Sequence, residues 1–282
     1  FWLKATAKKG AGSIPHSACA RDCASSLSLS VPRTLAAPTR PAAMAVPLEE
    51  DFQKASVLAR VAEHAERYEE MAQFMKERVL TGPSLTAEER DLFSAAYKGS
   101  LNGRRLAVRI ATSVEQQEIA EGRTDLASLA AGYRSKVEAE LQDICAEAVQ
   151  VLVEALVPKA ETGEPKTFYL KMQGDYHRYC AEFATGVQRA EAADQARLAY
   201  SAATEEALTH LLTTHPVRLG LALNYSVFQH EVLGDTSSAI ATAQAALRHA
   251  EADLGTMPEE AYRDAALTMQ LLQDNLSLWS SA

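Results

Sequence analysis

The chain has few cysteines and no long hydrophobic run, and each shortage excludes something. Four cysteines in 282 residues do not make a disulfide framework: Cys19 and Cys23 fall in the opening stretch, and Cys145 and Cys180 fall on segments with helical periodicity. That distribution is expected of a reduced, intracellular body. No stretch approaches the ~18–20 apolar residues that cross a bilayer, so a soluble protein is expected. From residue 49 onward there are few β-branched runs and no alternating apolar and polar pattern, which argues against strands. A glycine-rich phosphate loop, an HExxH pair and a convincing Ser-His-Asp set are all missing, so neither catalytic residues nor an enzymatic activity is expected. There is no fixed-period repeat of the tetratricopeptide kind. His177 and Cys180 stand three residues apart, but two ligands are too few to hold a metal; no metal and no cofactor are expected.

What is present is an apolar fraction of 47%, enough for a substantial core in one large domain or two small ones. The formal net charge of −9 hides an asymmetry. Residues 1–43 carry Lys4, Lys8, Lys9, Arg21, Arg33 and Arg40 against the single acid Asp22, so the remainder has a net charge of −14. A body that acidic should repel nucleic acid and anionic membranes, and an anion site within it has to be a local basic island. Residues 1–43 are rich in Ala, Ser, Pro and Arg and lack periodicity. They read either as an organelle transit peptide or as upstream sequence before a start at Met44, and as disordered in both cases. The division expected is therefore a basic leader over 1–43 and a helical domain over 44–282. The location expected is the cytoplasm, or an organelle if the leader is a genuine transit peptide.

The class is all-α. Periodicity predicts about nine helices, near 51–66, 68–80, 87–117, 124–157, 165–184, 187–211, 216–233, 236–254 and 259–280, with short connections that make neighbours antiparallel. Thr86-Ala87-Glu88-Glu89 reads as a capping box opening the third helix, and Thr256-Met257-Pro258-Glu259 opens the last. Gly122, Gly163, Pro216 and Gly234 punctuate the rest.

The stretch from Phe168 to Glu182 places Arg178 and Tyr179 on an otherwise apolar helix. A guanidinium fork beside a phenol can hold a phosphate, although taken alone the pair reads more plainly as an Arg178 ion-paired to Asp175 or Glu182. Lys98 and Arg105, seven residues apart, share one face of the third helix. On the seventh helix Asn224, Val227 and Glu231 align. On the ninth, Leu267, Leu271 and Asn275 align, with Trp279 one turn on. An asparagine on an apolar face usually closes a core hydrogen bond, but two such faces also suit a groove for an extended peptide.

Several strings carry a resemblance: Ala65-Glu66-Arg67-Tyr68, Ala96-Tyr97-Lys98, Phe168-Tyr169-Leu170-Lys171-Met172, Gly174-Asp175-Tyr176, Arg178-Tyr179, the run from His215 to Asn224, and the run from Met269 to Trp279. In this order, over about residues 49–281, the chain resembles a 14-3-3 protein. The resemblance implies nine antiparallel helices, a cup-shaped subunit in a homodimer or a heterodimer with relatives, and one groove per subunit for phosphoserine or phosphothreonine segments of client proteins. Carried over by position, Lys98, Arg105, Arg178 and Tyr179 match the phosphate pocket. Asn224 and Asn275 match amides that bond the ligand backbone, accompanied by Glu231, while Leu223, Val227, Leu267, Leu271 and Trp279 match the apolar wall.

The same resemblance implies that the first two helices of one subunit pack on the fourth of the other. Val61, Ala65 and Tyr133 would give the apolar contact, with ion pairs of Arg67 with Glu140 and Glu70 with Lys136. A further pair has both signs reversed relative to many relatives, as Lys54 and Asp125. Other departures are Gly99 after Lys98, Leu106-Ala107-Val108 in place of a polar, Trp-bearing string, and Thr268 where many relatives carry Ile. The function implied is an adaptor without chemistry of its own. The rival is a helical scaffold that binds partners irrespective of phosphate.

Overall fold

The computed structural model describes residues 49–253 and 259–281, all within the unit that spans 46–282. The leader, and the residues of the second capping signal before Glu259, lie outside the described residues. Among the described residues there are nine α-helices: α1 Glu49–His64, α2 Tyr68–Thr81, α3 Ala87–Ala120, α4 Thr124–Val151, α5 Glu164–Phe183, α6 Gly186–His210, α7 Pro216–Glu231, α8 Thr236–Asp253 and α9 Glu259–Ser280. Each packs on the next in sequence, the arrangement that short connections impose. No described helix is long and apolar enough to cross a membrane.

The start of α3 is built as its sequence predicts. The Glu89 N–H donates to the Thr86 hydroxyl at 3.2 Å, and the Thr86 N–H donates to Glu89 Oε2 at 3.0 Å, closing two otherwise orphaned donors. The same carboxylate accepts from Arg78 at 2.7 and 2.8 Å and from the Ser56 hydroxyl at 2.6 Å. Burial would raise the Glu89 pKa, but the Arg78 and Ser56 hydrogen bonds hold it below the usual carboxylate range. One buried acid thus joins α1 and α2 to the head of α3, and so sets where Lys98 and Arg105 fall further along it.

The fourth helix ends differently from the prediction of a helix to 157. Its α-helical part stops at Val151 and widens into a π-helical turn over Leu152–Leu156, followed by a 3-10 turn at Val157–Lys159. The Val157 N–H reaches back to the Leu152 carbonyl. The cause is Pro158, which has no N–H to donate and whose ring crowds the carbonyl four residues earlier.

Three apolar clusters stack along the helices. The first gathers Phe93, Tyr97, Leu141, Leu152, Met172 and Tyr176 from α3, α4, α5 and the π turn. The second gathers Leu170, Tyr200, Leu221 and Phe228 from α5, α6 and α7. The third gathers Leu219, Leu247, Leu272 and Leu276 from α7, α8 and α9. Helix α5 borders the first two and α7 the last two, so the polar residues of both helices are held by packing on two sides.

Candidate functional site

The site is built around a buried carboxylate. Asp175 on α5 is 2% exposed and is surrounded by donors. The Tyr200 hydroxyl of α6 donates to its Oδ1 at 2.6 Å, Lys171 to its Oδ2 at 3.0 Å, and the Asn224 amide of α7 to both oxygens at 2.8 and 3.0 Å. Burial alone would raise its pKa. Lys171, Arg178, the Tyr200 hydroxyl and Lys98 overcome that and hold it down at about 2. Arg178 lies 3.7 Å from Asp175 and donates from Nε to the Tyr200 hydroxyl at 3.2 Å. Tyr200 reaches both because Gly174 has no side chain. A Cβ at that position would stand 2.7 Å from the Tyr200 ring, closer than atoms tolerate.

Above this frame the cations converge. The guanidinium carbons of Arg105 and Arg178 each lie 4.5 Å from the centroid of the Tyr179 ring, so one phenol ring from α5 carries an arginine from each of two helices. Arg105 donates to Glu182 on α5, and it is Asp175, not Glu182, that faces Arg178. Lys98 keeps much of its side chain in solvent. Even so, partial burial and then the like charge of Lys171 lower its pKa, against the pull of Asp175 and Asp91 and with Arg178 adding to the repulsion. Glu231 at the end of α7 feels the same group. Burial raises its carboxyl, while Arg178 and Arg105 pull it down and Glu182 pushes it up. Beside Lys98, Gly99 lets the Tyr68 ring of α2 lie directly on α3, since a Cβ there would stand 2.3 Å from the ring.

The apolar wall divides. Leu267 is 54% exposed and Leu223 and Leu271 are half-buried, whereas Val227 and Trp279 are buried in the α7, α8 and α9 cluster. The Trp279 ring sits 5.0 Å from that of His230. Asn275 is 4% exposed, and its Nδ2 has no hydrogen-bond partner. A buried amide donor left unpaired is costly and is seldom kept without a use. Among the described residues no group of three or more His, Cys, Asp and Glu is placed to hold a metal.

A sequence model of the family described as 14-3-3 protein matches residues 58–280. The chain is 50% identical over 240 residues to the 14-3-3-like protein D of Nicotiana tabacum, a match covering 84% of this chain and 96% of that protein. It is 51% identical over 223 residues to the 14-3-3 protein homolog of Candida albicans, covering 79% and 84% respectively. To the 14-3-3 protein epsilon of Drosophila melanogaster it is 50% identical over 223 residues, covering 79% and 85%. The chain belongs to the 14-3-3 family. Its all-helical fold is the 14-3-3 fold, and membership implies an adaptor or regulatory role in a family known for non-enzymatic adaptors.

The residues expected at the 14-3-3 subunit boundary lie on open surface. Val61 is 59% and Tyr133 57% exposed, and Lys54, Ala65, Arg67, Glu70, Asp125 and Lys136 are also exposed, with Glu140 half-buried. Within the single chain Arg67 pairs with Glu70, and Glu140 accepts from Arg104, which also holds Glu69. Sequence reasoning missed the cleft beside them, lined by Ala107, Ile110, Val114, Leu126, Ala130 and Tyr133 of α3 and α4. Its signal was present as Ile110 and Val114 one turn apart on a face that the core of α3 does not use. Also missed were Tyr200, which reads only as core, and the hold of Glu182 on Arg105.

Proposed function

We propose that this 14-3-3 chain is a dimeric adaptor whose groove binds phosphoserine or phosphothreonine segments of client proteins. The observation that carries the reading is the convergence of Arg105 and Arg178 on one Tyr179 ring, with the Lys98 ammonium near enough to Arg178 and Lys171 to feel their charge. Lys98, repelled by Lys171 and Arg178, stands ready for an anion. A phosphate, with nearly two negative charges at neutral pH, relieves the repulsion and accepts charge-assisted hydrogen bonds. Asp175, itself buried, holds Lys171 at 3.0 Å and faces Arg178 at 3.7 Å, which fixes where both cations stand. The free Asn275 donor suits a ligand backbone carbonyl, and Leu223, Leu267 and Leu271 offer apolar surface to its side chains. Val227 and Trp279 support that surface from beneath.

Calorimetric titration with a phosphoserine peptide and its unphosphorylated twin tests this. Two or more charge-assisted bonds predict at least about a hundredfold preference for the phosphorylated form. Equal affinities would transfer the function to a scaffold indifferent to phosphate.

Pairing would bring α1 and α2 of one subunit onto the α3 and α4 cleft of the other, covering Val61 and Tyr133. Arg67, Glu70 and Glu140 would exchange their partners within the chain for partners across the boundary. Lys54 and Asp125, of reversed polarity, attract each other in a homodimer but would meet like charges in a relative of ordinary polarity, which biases the chain toward self-pairing. Lys54→Glu or Asp125→Lys alone should weaken the homodimer by up to about fivefold at low salt, and the double change should restore it. Sedimentation equilibrium reads this directly, and a double variant no tighter than the singles would show that the two side chains do not meet.

A further inference from the structure

Behind α7, on the side away from the proposed groove, α6, α7 and α8 surround an open-mouthed cavity of about 270 Å³. Ala222 and Tyr225 face it, whereas Asn224 and Val227 lie two residues beyond each, about 200° round the helix. The cavity follows the seam between two apolar clusters. Ala207 and Leu221 belong to the cluster that reaches α5, and Leu219 and Ala246 to the one that reaches α9. Packed interiors leave few voids larger than a water molecule, so a gap of this size is room for a ligand rather than loose packing.

The polar groups gather at one end. The Thr213 hydroxyl donates to Asp253 Oδ2 at 2.5 Å, which sets the last turn of α8 beside Arg218 in the first turn of α7. Arg218 lines the cavity there, with His249 one turn before Asp253, while Tyr225 and Thr242 line it two turns away, about 10 Å along the helices. The domain is strongly acidic, yet among the described residues that line the cavity there is no Asp or Glu. Arg218 is half-buried, and its Nη1 donates to the Leu211 carbonyl at 2.7 Å. Burial lowers its pKa against the pull of Asp253, so a nearer anion would favour the cation. The hydroxyl hydrogens close by are committed, that of Thr204 to the Tyr200 carbonyl at 2.8 Å and that of Thr213 to Asp253. A single guanidinium fork suits a singly charged carboxylate, whereas a phosphate calls for several cations and donors around it.

We propose that this cavity binds a small amphipathic monocarboxylate with a straight alkyl chain of about eight carbons, its carboxylate on Arg218 and its chain running past Leu219, Ala222 and Ala246 toward Tyr225. The two-turn span, about 10 Å, matches the extended length of such a chain. Slender alanine walls leave room for methylene groups, and the apolar area they take from water holds the chain in place. The site does not depend on the phosphopeptide reading, since α7 separates it from the residues of the proposed groove.

The test titrates octanoate into the full chain carrying labelled alanine and leucine methyl groups and follows it by NMR. Saturable binding is expected, with nuclear Overhauser contacts from the octanoate chain to the methyls of Ala222 and Ala246. Octyltrimethylammonium, the same chain with the opposite charge, should bind at least about tenfold more weakly. Arg218→Gln should weaken octanoate by at least about tenfold, and Ala246→Phe should block it by filling the cavity, with the helicity of each variant checked by circular dichroism. The contacts are read on the wild-type chain, so the location is decided even where a variant fails to fold. Octanoate that does not saturate, that binds no better than the cation, or that contacts Leu223, Leu267 or Leu271 in the groove instead would overturn the proposal, as would a folded Arg218→Gln chain that binds it undiminished.

Discussion

Lys98→Glu is expected to lower affinity for a phosphoserine peptide by at least about a hundredfold while leaving the helices intact, because it both removes a cation and installs an anion. The site predicts the direction of each effect. Lys98 has Lys171 and Arg178 as like-charged neighbours, so a carboxylate in its place is drawn toward them and competes with the incoming phosphate. Stability should change little, since the side chain is exposed and takes part in no core cluster. Titration calorimetry beside circular dichroism measures both, and retained affinity in a normally helical variant would remove Lys98 from the site.

Asp175→Ala should have the largest effect on stability. It leaves Lys171 and Arg178 without their carboxylate and strips Tyr200 and Asn224 of their acceptor. Unpairing a buried charge costs about 3–5 kcal/mol, which in a domain of this size is roughly 10 °C of melting temperature. The pH dependence follows from the depressed pKa of about 2. The contribution is fully present above the unfolded-state value of about 3.9 and is lost as pH falls through the folded value. The gap in melting temperature between wild type and Asp175→Asn, which keeps the shape but not the charge, should thus be steady at neutral pH and narrow below about pH 4. Equal melting temperatures at pH 7 would show that the carboxylate does not hold this network.

Local chemistry was legible wherever a residue acts on its own neighbourhood. Thr86 and Glu89 opened α3 where the capping signal placed it, and Gly163 marked the start of α5 within a residue. The seven-residue spacing of Lys98 and Arg105 put both on the face that meets Arg178. Legibility failed where a side chain arrives from a distant helix. Nothing in the Ala-rich α6 sequence marks Tyr200 as the donor to Asp175, because its position fits the core stripe of Ala196, Ala203 and Ala207. Pro158 was visible, but its effect was not, since a π turn can absorb the missing bond and let the helix run on. Nor can a single chain's sequence show that Arg67 and Glu70 satisfy each other before any partner arrives.

The hold of Glu182 on Arg105 makes the proposed site an ion exchanger rather than an empty socket. Under the proposed function an arriving phosphate would displace a resident carboxylate, so Arg105 would be neutralised before and after the event and never left bare in the interval. Release would run the same way in reverse, with Glu182 within reach to take the arginine back. A clamp built like this can turn over quickly even when it discriminates strongly, because the internal anion lowers the barrier to letting go.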